Sequence, residues 1–518
     1  MITGGTVMGM RITNQMISNN SVRNLQRSMT EVDRRTKQMT SGKKISQASE
    51  DPVVAVRALK LRTTVSQLEQ YKDKNIPDAN SWYEISNTSL DNIVKRIKDI
   101  NEYCVQGSTD SFGSTDRSAI IDALKELQDM IYEEGNATYA GRYIFSGYKT
   151  DRPLTFTKTD DVTKYSYDVT QHINGKELDT KKIVVNEVKY DEVDDYLLGA
   201  ETYNQPEPQQ VYRLNLAYEG IERYNNNGDD VLSITAKDAA GNDIDLTGYT
   251  INVKETDDAD TYYNVGAGEI NVIKETGEII FGEDIYNVLK VAEDIEVKYA
   301  KTKFSVDDLR PEHYFDCTQY TEQSDGTIKT VDYDQPEDGQ GIYYEVNFNQ
   351  SVKVNLEGRD LITSNIGNHI NDLIYTLQDL KDAEDTQAKL QKMLEDTQYS
   401  SNDAAVEQIN KMLKDIDVEI AVKKETLQKT FSGNITNFQD YLAEISAVQS
   451  DIGSRMTKLS MIKTRVEEQY ASFKELKSQN EDMETEEIVT DFNEANLVYE
   501  SALAATSNVM DKTLLDYL

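Results

Sequence analysis

At 518 residues with a formal charge of −37, the chain is too long for one hydrophobic core and should divide into two to four domains. Acidity of that size excludes a nucleic-acid binder, which needs a basic face, and suits a protein kept soluble at high local concentration. No apolar run approaches the ~18 residues of a membrane span, and residues 1–9 lack the charged-then-apolar pattern of a cleaved signal peptide. Cys104 and Cys317 give neither a disulfide framework nor metal-ligand spacing.

Residues 1–9 hold three glycines and no helical period, so they are expected to be disordered, with Met1, Met8 and Met10 all open as the start. From Val22 an apolar seam alternates three and four residues apart: Val22, Leu25, Met29, Val32 and Met39, with arginines outside it. Gly42 is the stop signal of that helix, and Ser49 or Asp51 caps the next, with Pro52 suited to its first position. Helical spacing then runs to about Gln106, with a bend or break expected near Asn75 because of Pro77. Ser114 or Thr115 is the expected cap of a further helix ended by Gly135, and residues 136–156 read as strand and turn.

Residues 151–350 differ in kind. They hold 18 of the 31 tyrosines and 5 of the 7 prolines, and 43 acidic against 18 basic residues, a net of −25. Short apolar runs between turn signals, such as Glu278–Phe281 and Ile295–Tyr299, predict a β-rich domain displayed at the surface, with a short helix over Asp191–Gly199. Its acidic clusters, Asp238 to Asp245 and Asp257 to Asp260, miss the spacing of a calcium loop and read as solvated turns.

Helices resume after Gly358, and residues 381–431 are expected to form a helical hairpin broken near Ser400–Asn402. After Gly433 a long helix is expected, with an apolar residue every seventh position: Phe438, Ile445, Ile452, Leu459, Val466 and Phe473, supplemented by Leu442. A last helix follows an acidic break at 481–487 and carries Ile488, Phe492, Tyr499, Ala502 and Val509. Seams of that length need partners, and the two ends supply them with opposite charge. Residues 1–60 have ten basic against four acidic residues, a net of +6, and residues 481–518 one against ten, a net of −9.

The fold class expected is therefore α+β and multidomain. Long antiparallel terminal helices form a coiled-coil or helical-bundle rod, with a mainly β acidic domain inserted. The divisions are 1–50 with 481–518 (terminal helices, disordered in the monomer), 51–150 with 359–480 (rod) and 151–358 (β domain). The seam residues named above are the candidate assembly site. No phosphate-binding loop, nucleophile motif or metal spacing is present, so no catalytic, cofactor or metal residue is assigned.

Several stretches resemble one family. Met39–Ile45 followed by Glu50–Asp51–Pro52 resembles the N-terminal signature of the flagellin superfamily, and the proline, with Met10–Met16, resembles its hook-associated branch. Tyr139–Thr150 resembles the gly-x-tyr-leu-phe-ser-gly motif of that branch's junction members, and Ala447–Leu459 resembles a flagellin-type C-terminal helix. The likeness covers about 10–156 and 435–518. It implies a structural flagellar subunit at the hook–filament junction that polymerises into a ring or tube. Its implied partners are further copies of itself, hook-associated protein 1, flagellin and an export chaperone on the C-terminal helix, with neither nucleic acid nor membrane among them. It also implies an extracellular place reached without a cleaved signal peptide. The alternative within the family is a filament subunit with a large exposed domain. A more distant one is an enzyme carried in the inserted domain.

Overall fold

The computed structural model describes residues 14–109, 113–246, 248–256, 263–323, 325–336 and 339–511. Expectations for residues 1–13, for Asp257, Asp258 and Asp260, and for the side chains of Ser114, Thr115 and Val509 lie outside the described residues. The long helices are α1 (Asn14–Ser41), α2 (Pro52–Gln70), α3 (Ile76–Ser108), α4 (Ser114–Gly135), α5 (Ser364–Glu395), α6 (Asp403–Glu481) and α7 (Thr485–Asp511). Two compact units emerge. One holds the described parts of 1–78, 345–351 and 458–518, the other those of 79–344 and 352–457.

Local chemistry sets the helix ends of the first unit. Gly42 closes α1 in the left-handed region, at φ +66°, and its N–H reaches the Gln38 carbonyl at 2.8 Å. Glu50 then ties the turn shut by accepting from the Ser46 amide (2.8 Å) and hydroxyl (2.7 Å). Asp51 is the cap of α2, accepting from Val53 N (3.0 Å) and Val54 N (3.1 Å) ahead of Pro52. Of the bend or break expected near Asn75, the break does not occur, and the irregularity takes another form. A π-helical turn over Tyr71–Asn75 precedes α3. It admits the missing N–H by lengthening the hydrogen-bonded loop from i+4 to i+5.

Among the described residues, the second unit combines four long helices with two large sheets, besides short helices and a two-stranded hairpin. Ile93, Ile97 and Ile100 of α3, Leu124 and Ile131 of α4, Leu373, Leu377 and Leu380 of α5, and Ile409, Met412 and Phe438 of α6 are all buried. Polar ties mark the neighbours: Asn92 to Glu134 (2.8 Å), Gln387 to Asp417 (2.6 Å), and an Arg117–Glu384 ion pair. At Gly107 a Cβ would lie 2.2 Å from the Phe431 ring, so only glycine lets α3 approach α6 this closely. Two helix starts differ from expectation. The cap of α4 is Gly113, whose N–H is accepted by Asp116 at 3.3 Å, rather than Ser114 or Thr115. The long helix begins at Asp403, so Gly433 lies inside it and the expected hairpin is α5 against the first half of α6.

The chain between α4 and α5 opens with the hairpin β1 (Thr138–Tyr139) and β2 (Arg142–Tyr143). Next come β3 (Tyr165–Ile173), β4 (Asp179–Val185), β5 (Glu207–Asn215), β6 (Ile221–Glu222), β7 (Ser233–Lys237), β8 (Asp243–Ile244) and β9 (Thr250–Lys254). The remainder are β10 (Glu269–Ile273), β11 (Glu278–Phe281), β12 (Asp294–Lys301), β13 (Asp316–Glu322), β14 (Ile328–Tyr333), β15 (Tyr343–Asn347) and β16 (Gln350–Lys353). One sheet runs β4-β5-β11-β10-β9, antiparallel except for the parallel β10–β9 pair. The other runs β14-β13-β3-β12-β7-β8, with β6 added on β12. Tyr167 and Val169 of β3, Val297 and Tyr299 of β12, and Ile270, Val272, Ile279 and Phe281 share one core, so the sheets face each other. Ile183, Val211 and Ile280 form a second cluster, so the five-stranded sheet is buried on both faces.

The segment after β2 is fastened to the β domain through Glu312, which is fully buried. Glu312 accepts from Tyr167 (2.8 Å) and Arg152 (3.1 Å). Beside it, the backbone carbonyl of Glu312 accepts from the Lys149 ammonium (2.7 Å), and His313 Nε2 lies 3.0 Å from the Pro153 carbonyl. Burial pushes the His313 imidazole down from 6.5 to about 4. The unfolded chain therefore takes up a proton that the folded one refuses, and stability falls as pH drops from 6.5 towards 4. Urea midpoints at pH 7 and pH 5 should differ in the native chain, and the difference should shrink in His313→Gln. An equal difference in both would refute this source of acid sensitivity.

Candidate assembly surface

The first unit brings the two ends of the chain together. The α1 and α7 helices run antiparallel: Ser21 O accepts from Thr506 at 3.5 Å, Arg35 pairs with Asp491, and Lys43 pairs with Asp482 at 2.5 Å. The loops that end α1 and α6 exchange backbone hydrogen bonds, Lys44 N to Glu481 O (2.8 Å) and Met483 N to Gly42 O (3.0 Å). A second antiparallel pair is α2 with the last part of α6. Asn480 reaches the Val54 carbonyl at 3.3 Å, and Lys72 sits over the Tyr470 ring at 4.4 Å. Residues 345–351 cover the π turn, with Phe348 edge-on to Tyr71 at 5.7 Å and Asn75 donating to Glu345 O at 2.7 Å.

Glu481 is the polar centre of this unit. Its side chain is 4% exposed, and Arg62 grips it through Nε and Nη2, both at 2.7 Å, with Lys43 at 3.6 Å. That grip holds the carboxyl below its usual pKa.

The residues named as a seam divide into two sets. Val22, Leu25 and Val32 of α1 and Phe492, Tyr499 and Ala502 of α7 are half-buried, and Ile488 is buried. Phe438, Ile445, Ile452, Leu459 and Val466 of α6 are at most 2% exposed, while Leu442 and Phe473 are half-buried. Ile452 and Leu459 are thus interior residues of the subunit. Met29 and Met39 point to solvent instead.

An outward apolar set was missed by the sequence reading. On α2, Val53 is 78% exposed, Val56 56% and Leu59 67%, one turn apart on the side opposite the buried Ala58, Leu61 and Val65. Met461 on α6 and Leu497, Val498 and Leu503 on α7 are exposed as well. The signal was present as a second i, i+3, i+6 stripe beside the first. Among the described residues, no group of three or more His, Cys, Asp or Glu could hold a metal ion. No helix there is long and apolar enough to cross a membrane.

The carboxylate of Glu481 is lowered in the folded state, so its contribution is full above the unfolded pKa near ~4.3 and is lost as pH falls through the folded value. Arg62→Ala leaves that buried carboxylate short of its main partner, at a cost of about 1–3 kcal/mol. Hydrogen exchange should then quicken at the Lys44 and Met483 amides while the sheet amides hold. Unchanged exchange at those two amides would contradict this role of Arg62.

Comparison with known proteins follows the same division. Residues 12–150 match the bacterial flagellin N-terminal helical region, and residues 435–518 match the bacterial flagellin C-terminal helical region. Flagellar hook-associated protein 3 of Escherichia coli is 29% identical over 143 residues, 27% of this chain and 45% of that protein. The chain thus spans under half the length of that relative. A flagellin of Clostridium tyrobutyricum is 27% identical over 129 residues, 25% of this chain and 34% of that one. A crystal structure of flagellar hook-associated protein 3 from Legionella pneumophila is 11% identical and covers 81% of this chain and 96% of its own, at a TM-score of 0.31, too low to carry weight. At its two ends the chain is thus similar to the N- and C-terminal helical regions of bacterial flagellin.

Proposed function

We propose that the chain is a structural subunit of the bacterial flagellum, an adaptor at the hook–filament junction that assembles with copies of itself through its paired terminal helices. The observation that carries this reading is the double apolar character of those helices. One stripe is buried within the subunit. The other leaves Met29 and Met39 of α1 and Leu497, Val498 and Leu503 of α7 facing water, and it continues onto the adjoining helix α2 as Val53, Val56 and Leu59. A second copy of the same unit can cover it, and a head-to-tail contact of that kind closes into a ring or extends into a tube.

In this reading residues 1–50 and 481–518 are the assembling ends, 51–150 and 359–480 the rod, and 151–358 the displayed domain. No catalytic role is assigned. Further partners follow the family: hook-associated protein 1 on one side, flagellin on the other, and an export chaperone on the C-terminal helix before delivery outside the cell. The filament reading has support in the flagellin match. The junction reading is favoured by the likeness of the 139–150 motif to junction members and by the hook-associated protein 3 relatives.

Val56→Asp with Leu59→Asp places charge on the exposed stripe only. The double variant should keep its circular dichroism and melting temperature yet stay monomeric in sedimentation at concentrations where the native chain associates. Native-like association of the variant would sink this surface as the contact. Gold labelling of intact flagella should give a single cluster at the filament base, whereas label along the whole filament would favour the filament subunit.

A further inference from the structure

The second unit contains a groove apart from the apolar surface proposed for assembly. It has a volume of about 650 Å³ and lies between β4 and β5 on one side and α5 and α6 on the other. Its floor is built on Arg213, 3% exposed, which donates to both carboxylate oxygens of Asp372 (2.7 and 2.8 Å) and to Glu278 (2.7 Å). Arg213 Nε and Asn215 Oδ1 are shut from solvent without a hydrogen-bond partner among the described residues. Two unsatisfied polar groups at the base of one groove are uncommon, because each costs about 1–3 kcal/mol.

The charges of the lining are unevenly engaged. Every lining carboxylate has a partner: Asp179 and Asp372 hold Arg213, Glu425 holds Lys182 at 2.8 Å, and Glu177 accepts from Asn365 at 2.8 Å. Lys176, Lys181 and Lys429 line the same groove, and among the described residues their ammonium groups make no hydrogen bond or ion pair, although Lys181 acts at longer range on Asp372 and Asp379 and Lys429 on Glu425. Three such cations at one place stand out in a chain of net charge −37. Around them the walls offer amides and hydroxyls, including Asn368, Asn434, Asn437, Thr430 and Ser432. His369 lies 3.0 Å from the Tyr441 hydroxyl and within 3.4 Å of the Asn437 amide, and burial lowers the pKa of its imidazole.

We propose that this groove binds an acidic saccharide, a short chain of sugars bearing carboxylates. These lysines would take the negative charges, and the amides and hydroxyls would exchange hydrogen bonds with the sugar hydroxyls. Charge-assisted contacts supply affinity, and the neutral groups supply preference for a polyhydroxylated ligand over a bare anion. The groove is open to solvent, large enough for two or three sugar rings, and formed within one unit, so binding does not depend on the junction reading.

Calorimetric titration of the full chain with tri-galacturonate tests this directly. One saturable site is expected, with maltotriose and inorganic phosphate each at least tenfold weaker. Lys181→Ala with Lys429→Ala removes two cations that hold no hydrogen bond or ion pair among the described residues. It should weaken the trimer at least tenfold at an unchanged melting temperature, and Lys303→Ala with Lys329→Ala, on other surfaces, should not. In the native chain the trimer should slow hydrogen exchange at residues 213–215 and 426–437. The proposal is overturned by absence of binding, by phosphate or maltotriose binding as well as the trimer, or by equal losses in the two double variants.

Discussion

The register between the two ends of the chain rests on the buried carboxylate of Glu481. More than 400 residues separate it from Arg62, yet the guanidinium meets it in a two-point grip, and the flanking backbones at Lys44 and Met483 bond across. An antiparallel helix pair can slide by a turn at little cost when only apolar side chains hold it. A desolvated, directional ion pair penalises that slip, because the moved carboxylate would be left unpaired. The paired strip of α2 and α6 and the pairing of α1 with α7 follow from that anchor, and with them the placing of the outward apolar stripe.

The inserted β domain follows a different logic. Its acidity lies at the surface, while its interior contains a few polar groups whose partners are fixed. Gln171 accepts from the Ala217 amide at 3.0 Å and from Tyr299 at 3.1 Å, and Glu312 gathers Tyr167 and Arg152. Such groups add modest net stability when satisfied and large penalties when not. They therefore fix which strands pair more than how tightly they do so. The segment at 139–153 is held by the same cluster, through Lys149, Arg152 and Pro153, which links it to the inserted β domain.

The helical framework was largely legible because apolar spacing of three and four residues survives any tertiary context. Asp51 and Gly42 punctuate it as their chemistry requires, and α4 ends at Gly135 with Asn136 as its cap. Gly433 misled: a glycine inside a helix costs only about 1 kcal/mol, and the buried Phe431, Asn434 and Phe438 around it outweigh that. The strands β3, β5 and β13 were hidden by polar residues at buried positions, Gln171, Arg213 and Gln319, which break the expected alternation. Spacing also could not say which of two neighbouring stripes turns inward, so Met29 was grouped with Val32 although the first faces water. The Arg213–Asp372 floor of the groove joins residues 159 apart, a distance no local pattern spans.

The most direct test of the central claim is limited proteolysis with mass spectrometry, on the purified subunit and on its assembled form. The account predicts that cuts in the separate subunit fall first within 14–41 and 485–511, whose outer apolar faces lack neighbours. The stretch from Pro52 to Glu481 should resist, and both ends should become protected on assembly. Ends that resist equally in the subunit and the assembly would contradict it, since the terminal pair would then be complete without a second copy.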